Sequence, residues 1–480
     1  MAENKIPISD QPLVMKFGGT SVGSATAISQ TVDIITTHHA QYPQLVIVAS
    51  AMNGITNLLL SCARNAAEGN WKEYTQGISA VESKHSDTIS ALALSDSRRQ
   101  ALTADIQSII KQLRNYCASI ETMGEVTARG LDAIASLGER MNVRQISALL
   151  EEMGFSSRVV EADEIIVTDV AYQNARPLRK QTFEHTRTVL EPLLKTSVIP
   201  VITGFIGATE KGVTTTLGRG GSDYSASILG DCLNAQAVWT WTDVDGVMTA
   251  DPRIVQDARV IDNLTFDEVS EMAYFGAKVL HPKTMRPLIE SNIPLWVKNT
   301  FNPDHPGTCI SNQASQKVGK ITCVTAIQDV SLITVRGKGM LGVPGVAART
   351  FSAVADKNAS VLMISQSSSE QSICFVIPSA DQAGVITSLE KELAYELERG
   401  DIDAVHATPD VVIVTGIGAG MRNTPGVSAK VFSAIGAKDI NIIAIAQGSS
   451  EYSISLVVDK KDADATVRQI HTEVIINGQK

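Results

Sequence analysis

The C-terminal part of the chain contains an internal repeat, and this repeat restricts the possible folds more strongly than any other feature of the sequence. Thr334 recurs as Thr415, 81 positions later, and the same offset holds without a gap for Pro-Gly-Val, Phe-Ser-Ala and Ser-Ser-Glu triplets. Each copy has the pattern of a strand, a glycine turn, a helix, a strand, a polar turn, a strand and a helix. We therefore predict two copies of a small α/β unit that together form a paired module.

The first 300 residues alternate short apolar runs with stretches of helical periodicity. The apolar runs end in turn residues and predict buried strands at 13–17, 45–49, 198–202 and 237–241. Helical patterns lie between them, for example at 24–38, 177–194 and 222–233. This alternation is typical of an α/β domain with an open, mainly parallel sheet flanked by helices. The polar stretch 71–122 has few strand signals, and we predict that it forms a helical insertion on that sheet.

The composition excludes several classes of protein. The 480 residues contain 41 Lys and Arg against 51 Asp and Glu, a net charge of −10, so no binding to nucleic acid or to an anionic membrane is expected. No apolar run approaches the roughly 20 residues of a membrane helix. Residues 1–11 lack the apolar segment of a signal peptide, and the six cysteines form no CxxC pair. We therefore expect a cytoplasmic enzyme with reduced thiols.

The first glycine motif, Lys16-Phe-Gly-Gly-Thr-Ser, lies between the first predicted strand and the first predicted helix. Gly18 and Gly19 allow a ligand to approach the backbone closely, and consecutive N–H groups there form an anion-binding nest. Lys16 places an ammonium group beside that nest. The motif alone leaves open the alternative of a glycine turn with a surface lysine.

The second glycine motif, residues 214–223, combines three threonines, three glycines, an arginine and an aspartate at a helix start. Such a loop suits phosphate and carboxylate binding, and Arg219 offers a bidentate fork for a carboxylate. Asp223 would repel a phosphate placed on it, so we predict that it orients Lys16 or another cation. A purely structural loop is the alternative.

Two further motifs are weaker, and several familiar ones are rejected or absent. Trp241-Thr-Asp-Val-Asp-Gly ends a predicted strand, where open α/β sheets bind ligands, although a solvated turn explains it equally well. Residues 275–282 carry another glycine-flanked lysine. The GxGxxG at 337–342 loses its third glycine in the repeat copy, so we reject a dinucleotide site. The GxSxG at 19–23 has no recognisable triad partners, and no GxxxxGK[ST] or HExxH occurs.

Four motifs together resemble those of aspartokinases: Lys16-Phe-Gly-Gly-Thr-Ser-Val22, Thr215-Thr-Leu-Gly-Arg-Gly-Gly-Ser-Asp-Tyr224, Trp241-Thr-Asp243 and Phe275-Gly-Ala-Lys-Val-Leu-His-Pro282. The resemblance runs from about residue 13 to 475, and the repeat resembles the paired ACT regulatory domains of the same enzymes. It implies an amino acid kinase fold that phosphorylates L-aspartate with ATP to give 4-phospho-L-aspartate, the first step of lysine, threonine and methionine biosynthesis. The implied organisation is a catalytic domain at 1–310, a linker at 311–328 with a strand that joins the second ACT unit, and ACT domains at 329–400 and 401–480.

The resemblance also implies the site residues. The substrate carboxylate is already ionised at pH 7, so no general base is needed, and Lys16 and Asp223 are the expected catalytic residues. Glu139 suits the α-ammonium group and Arg219 the α-carboxylate of aspartate. The full set of expected aspartate contacts is Ser50, Thr56, Glu139, Arg219 and Ser222. The expected nucleotide contacts are Lys16, Gly18, Gly19, Thr242, Asp243, Met248, Arg253, Lys278 and Val279.

Two details follow from the same resemblance. Many relatives have tyrosine where this chain has Met248, so we expect an altered affinity for ATP. Mg²⁺ is expected to arrive with ATP, and we predict no metal ligands of the protein's own.

The repeat implies regulation. Gln366 and Gln447 are expected to contact an amino-acid effector, and their motifs resemble threonine-responsive ACT pairs more than lysine-responsive ones. The alternative is that these polar turns only cap strands. Because ACT units of relatives pair across subunits, we expect a homodimer or homotetramer. Threonine-responsive relatives are often fused to homoserine dehydrogenase, an activity that we do not expect from these 480 residues.

Two other functions are weighed at this point. One is a kinase of the same fold that acts on glutamate, acetylglutamate or a nucleoside monophosphate. The pairing of Glu139 with Arg219 and the tandem ACT tail argue against it. The other is a non-catalytic amino-acid sensor on an inactive kinase scaffold, and the retention of Lys16, Arg219 and Asp223 argues against that.

Overall fold

The computed structural model describes residues 11–277, 280–313, 319–338, 344–366, 372–421, 424–447 and 452–477. These residues form two compact units. The first contains the described residues up to 247 together with 262–266 and 280–313. The second contains 248–261, 267–277 and the described residues from 319 onward.

Ten α-helices and eleven strands lie in the described chain up to residue 313. The helices are α1 (Ala25–His39), α2 (Ile55–Ala67), α3 (Trp71–Ala91), α4 (Asp96–Met123), α5 (Ala128–Ala135), α6 (Leu137–Glu152), α7 (Arg179–Lys195), α8 (Gly221–Leu233), α9 (Phe266–Tyr274) and α10 (Pro282–Ser291). The strands are β1 (Leu13–Phe17), β2 (Leu45–Ala49), β3 (Ser157–Val160), β4 (Val167–Thr168), β5 (Ile199–Thr203), β6 (Ile206–Thr209), β7 (Thr214–Thr216), β8 (Ala237–Thr242), β9 (Asn263–Thr265), β10 (Leu295–Asn299) and β11 (Thr308–Ser311).

The first unit is built on an eight-stranded sheet of order β3-β5-β2-β1-β8-β10-β11-β9. All neighbouring pairs in this sheet are parallel except β10 with β11. Strands β4, β6 and β7 form a separate small sheet. The mainly parallel α/β architecture predicted from the sequence is confirmed.

The central strands are buried on both faces, and their composition explains why. All five residues of β1, and all five of β2, are buried, as expected for parallel strands covered by helices on both sides. Helices α3 and α4 confirm the predicted helical insertion, and their apolar faces join the same core as β1, β2 and α6.

Local side-chain bonds define two helix starts in this unit. The Ser24 hydroxyl accepts a hydrogen bond from the Ala27 N–H at the start of α1. The His281 ring accepts from the Lys283 N–H at the start of α10, which begins with Pro282. His281 is therefore a capping residue.

The second unit contains most of the repeat. Its further elements are β12 (Cys323–Arg336), α11 (Val346–Ala355), β13 (Met363–Gln366), β14 (Ser372–Pro378), α12 (Gln382–Glu392), α13 (Ala394–Arg399), β15 (Ala404–Ile417), α14 (Val427–Gly436), β16 (Ala444–Ala446), β17 (Ser453–Asp459) and α15 (Ala463–Ile470). In both copies the order of strands and helices predicted from the repeat is present in the described residues.

The two copies share one six-stranded antiparallel sheet of order β13-β14-β12-β15-β17-β16. Strand β12 is long enough to serve both copies: residues 330–336 pair with β14, and residues 323–327 pair with β15 beside β17. Residues 330–336 also pair with residues 404–411 of β15. The strands of each copy therefore include a segment contributed by the other copy. The register shifts between Ile327 and Leu332, next to Asp329, which has φ 56°.

Each copy has its own apolar core. The core of the first copy contains Phe375 and Leu389. The core of the second contains Leu456 and Ile470, and it also includes Ala250 and Val255 from the segment 248–261. The segment 248–261 is therefore packed as part of the second repeat copy.

Candidate active site

A cavity of about 340 Å³ lies in the first unit, where β1 and β2 end and α8 begins. Ligands of open α/β sheets bind at this edge, outside the carboxyl ends of parallel strands. Its lining residues are Lys16, Gly19, Ser50, Ala51, Met52, Asn53, Gly54, Thr56, Asn57, Glu139, Phe205, Gly218, Gly220, Gly221, Ser222 and Asp223. The structure thus brings together residues from four sequence regions that are up to about 200 positions apart.

Lys16 and Asp223 form an ion pair in this cavity. Lys16 lies in β1 and is only 7% exposed, and its Nζ lies 2.7 Å from Oδ1 of Asp223. Asp223 is in the first turn of α8, where the helix dipole stabilises a carboxylate. The ion pair between Asp223 and Lys16 that the sequence suggested is therefore present. It fixes the position of the ammonium group of a buried lysine.

The glycines after β1 allow a close approach of two chain segments. A Cβ atom on Gly19 would lie 3.1 Å from the carbonyl oxygen of Ala51. The Gly18 N–H donates to the carbonyl of Trp241 at 3.0 Å. A larger residue at position 19 would push the loop after β2 away from β1.

The carboxyl group of Glu139 is buried in the wall of the cavity. It lies in the first turn of α6 and is 3% exposed, and its Oε1 accepts a hydrogen bond from the Ala51 N–H at 3.2 Å. Among the described residues none donates to Oε2. Burial raises the pKa of Glu139 to about 8, against the smaller opposing effect of the Ala51 bond. A buried carboxylate with a free oxygen in a cavity is matched to a cationic group of a ligand.

Several residues of the second glycine motif line the cavity. Gly218 and Gly220 line it with φ values of 78° and 70°, which side chains other than glycine rarely adopt. Ser222 lines it as well, whereas the Arg219 side chain is exposed and does not belong to the lining residues. Of the five expected aspartate contacts, the structure places four in one cavity, and Arg219 lies between two lining glycines.

A buried aspartate that the sequence analysis missed holds this motif in place. Asp132 in α5 is 1% exposed. It accepts hydrogen bonds from the N–H and hydroxyl of Thr216 and from the N–H of Gln173. Burial raises its pKa, and these bonds act in the opposite direction. The signal for Asp132 was weak, because its partners lie 41 and 84 positions away.

The expected nucleotide contacts are distributed over both units. Thr242 ends β8 and Asp243 follows it, with the Thr242 hydroxyl 3.1 Å from Oδ1 of Asp243. Met248 and Arg253 belong to the second unit, where the Arg253 guanidinium is paired with Asp251. Lys278 and Val279 lie outside the described residues.

The two expected effector residues occupy equivalent positions of the repeat. Gln366 ends β13, and Gln447 follows β16 by one position. Both side chains are exposed. The Ser428 hydroxyl donates to Oε1 of Gln447 at 3.4 Å, and the repeat has Ala347 at the equivalent position of the first copy.

Comparison with known proteins gives the family. The model of the amino acid kinase family matches residues 11–299, and a model of the ACT domain matches residues 333–393 and 414–474. Aspartokinase 2 of Arabidopsis thaliana, a chloroplastic protein, is 34% identical over 467 residues, which cover 96% of this chain and 83% of the relative. The chain belongs to the amino acid kinase family and, within it, to the aspartokinases.

Other relatives are larger. The bifunctional aspartokinase/homoserine dehydrogenase 2 of Arabidopsis thaliana, also chloroplastic, is 33% identical over 487 residues, which cover 98% of this chain and 52% of that protein. The chain thus spans about half the length of such bifunctional relatives.

Solved structures agree with the fold. E. coli aspartokinase III in complex with aspartate and ADP (R-state) is 29% identical with a TM-score of 0.78, covering 97% of this chain and all (100%) of that one. The same enzyme in complex with lysine and aspartate (T-state) is 30% identical with a TM-score of 0.77 and the same coverage of 97% and 100%. In the described part of the chain, no helix is both long and apolar enough to cross a membrane.

Proposed function

We propose that this chain phosphorylates the side-chain carboxylate of L-aspartate with ATP, giving 4-phospho-L-aspartate and ADP, the step that begins lysine, threonine and methionine biosynthesis. The observation that carries the proposal is a single cavity that contains the buried Lys16–Asp223 ion pair and the unpaired oxygen of Glu139. A cation for transferring phosphate and an anion for an amino group are what this reaction requires of its site.

Glu139 supplies the recognition of the amino group. Its Oε2 is buried without a donor among the described residues, and an α-ammonium group would both pair with it and favour the ionised carboxylate. Ser50, Thr56 and Ser222 add hydroxyl groups to the same cavity. Arg219 is the proposed partner of the α-carboxylate, although its side chain is exposed in this structure.

Lys16 supplies the charge for phosphoryl transfer. Its ammonium group is held by Asp223, and because Gly18 has no Cβ atom, which would lie 3.6 Å from Lys16 Nζ, the space beside the ammonium group stays free for a phosphate. Asp223 is proposed to keep Nζ in place, so that little reorganisation is needed when negative charge develops. Mg²⁺ bound with the nucleotide would neutralise further phosphate charge.

The residues at the end of β8 extend the proposed nucleotide site. Thr242 is the last residue of this strand, which pairs with β1, and Asp243 follows it. We propose that Met248, Arg253, Lys278 and Val279 complete the contacts with ATP.

The tandem ACT domains are the proposed regulatory part of the protein. We propose that an amino acid, threonine in the first place and lysine in the second, binds at Gln366 and Gln447. The E. coli relative was solved with lysine in its T-state. A homodimer or homotetramer formed through the ACT domains is the proposed assembly, and light scattering with and without each amino acid would measure it.

The reaction is tested by trapping the acyl phosphate. The protein is incubated with MgATP, hydroxylamine and either L-aspartate, L-glutamate or N-acetylglutamate, each with and without threonine or lysine. We expect hydroxamate from aspartate, and a decrease with the amino acid that the ACT domains bind. If hydroxamate formed only with another acceptor, the protein would be a kinase of that acceptor. If a folded protein that binds ATP formed no hydroxamate with any acceptor, the non-catalytic amino-acid sensor would be the remaining function.

A matched pair of lysine variants connects the activity to the cavity. Lys16→Met removes the buried ammonium group, whereas Lys195→Met removes an exposed one at the end of α7. We expect hydroxamate formation to be lost only in the first variant. Equal activity of the two variants would contradict the proposed site.

A further inference from the structure

The loop after β2, residues 50–54, is fixed by main-chain bonds to the end of β1 and to the turn that follows it. The Ser50 N–H donates to the carbonyl of Phe17 at 3.1 Å, and the Asn53 N–H donates to the carbonyl of Gly19 at 3.1 Å. All five residues of this loop line the cavity. Its conformation therefore determines where the Ser50 hydroxyl lies.

Helix α6 fixes the same loop from the other side. Glu139 and Asn142 are three positions apart and share one face of the helix. Oε1 of Glu139 accepts from the Ala51 N–H at 3.2 Å, and Nδ2 of Asn142 donates to the Ser50 carbonyl at 2.6 Å. The helix thus binds the two polar groups of the peptide unit that joins Ser50 to Ala51.

The burial of Asn142 is unfavourable for the stability of the fold. Its side chain is fully buried at 0% exposure, and the described part of the chain offers no donor to its Oδ1. A buried amide that satisfies only one of its polar atoms is less favourable than a leucine of similar size. The stability of the fold therefore does not explain why this position is an asparagine. The hydrogen bond that its side chain makes is the one to the Ser50 carbonyl.

We propose that Asn142 is a positioning residue for the aspartate site. It holds the Ser50 carbonyl so that the Ser50 hydroxyl faces the cavity and the Ala51 N–H stays aligned with Glu139. The inference rests on the proposed function, because it concerns the binding of aspartate. Asn142 acts through Ser50 and Glu139 and is not assigned a contact with the reacting atoms.

Asn142→Leu is the informative variant, because it keeps the number and branching of the side-chain heavy atoms and removes the bond to Ser50. We expect KM for aspartate to rise about tenfold or more, with KM for ATP and kcat changing less than about twofold. The melting temperature should change little, because removal of the unpaired Asn142 oxygen offsets the loss of a donor to the Ser50 carbonyl. If Asn142 had only a structural role, Asn142→Leu would instead lower the melting temperature and change KM for aspartate and KM for ATP together.

Gln145→Leu is the matched control on the next turn of α6. Gln145 is also fully buried, but its amide contacts the His85 ring at 2.9 Å and the Met52 sulfur at 3.8 Å rather than a peptide group of the loop. We expect its KM for aspartate to stay within about twofold of the wild type.

The kinetics are measured on the full chain with the hydroxamate assay, and melting is followed by calorimetry. An unchanged KM for aspartate in Asn142→Leu would overturn the inference, as would an equal rise in Gln145→Leu. Failure of the proposed function is distinguishable, because the wild type itself would then form no hydroxamate from aspartate.

Discussion

If Glu139 pairs with the α-ammonium group as proposed, the binding of aspartate should depend on pH. Burial raises the pKa of this carboxyl to about 8, so in the free protein it is mostly protonated at neutral pH. An ammonium group pairs with the ionised form, and binding therefore has to drive a proton off Glu139. The affinity for aspartate should follow the ionised fraction of this one group.

The size of the effect follows from the pKa. With a pKa of about 8, roughly 3% of Glu139 is ionised at pH 6.5 and about 75% at pH 8.5. Since apparent affinity scales with the competent fraction, Kd for aspartate should fall about 25-fold over this interval. One proton should be released per aspartate bound at the lower pH.

The same group should lower the stability of the free protein as pH rises. Its pKa in the folded state lies above the ordinary value of 4.5, so its contribution is fully present below pH 4.5 and is lost as pH rises through about 8. The loss is on the order of 5 kcal/mol when complete. Glu139→Gln keeps the shape without the charge and should raise the melting temperature by several degrees at pH 8, with little change at pH 5.

Calorimetry tests both consequences in the same samples. Titration of aspartate into the wild type between pH 6.5 and 8.5, in buffers of different ionisation enthalpy, gives Kd and the number of protons released. Glu139→Gln should bind aspartate weakly and without this pH dependence. A Kd that does not vary with pH in the wild type, or a slope that survives in Glu139→Gln, would refute the reasoning.

The remaining predictions concern the reaction, the nucleotide and the effector. Lys16→Met should lower kcat by about 10²–10³-fold in a chain that still folds, measured by hydroxamate formation and circular dichroism. Met248→Tyr should lower KM for ATP, and an unchanged KM would contradict a nucleotide contact at this position. Gln366→Ala and Gln447→Ala should each raise the effector concentration for half-inhibition, and equal curves for wild type and both variants would remove the glutamines from the effector site.

Much of the fold was predictable because its signals are local. Strands β1 and β2 are continuous apolar runs that end in turn residues, and the structure has them at the predicted bounds. The repeat was equally readable, since the same order of elements occurs twice at one offset. The resemblance led us to expect a strand within 311–328 that joins the second unit, but the sequence did not show that one strand of 14 residues, β12, runs through both copies.

The candidate site was predictable only where a motif carries it. Lys16 and Asp223 stand in glycine-rich motifs, and the structure brings them within 2.7 Å of each other. Asp132 and Asn142 were missed because each lies in an ordinary helical sequence and bonds to a loop far away in the chain. The burial that raises the pKa of Glu139 is likewise a property of the packed cavity and has no local signal.

The segment 248–261 shows why a contiguous motif is an uncertain guide to a contiguous site. Thr249 accepts at its carbonyl from the Val324 N–H, and its hydroxyl lies 2.9 Å from Nε2 of the buried His471. Ala250 and Val255 pack in the core of the second repeat copy. Whatever Met248 and Arg253 bind, the packing of that copy constrains their positions, because these contacts anchor the backbone directly after Met248 and on both sides of Arg253.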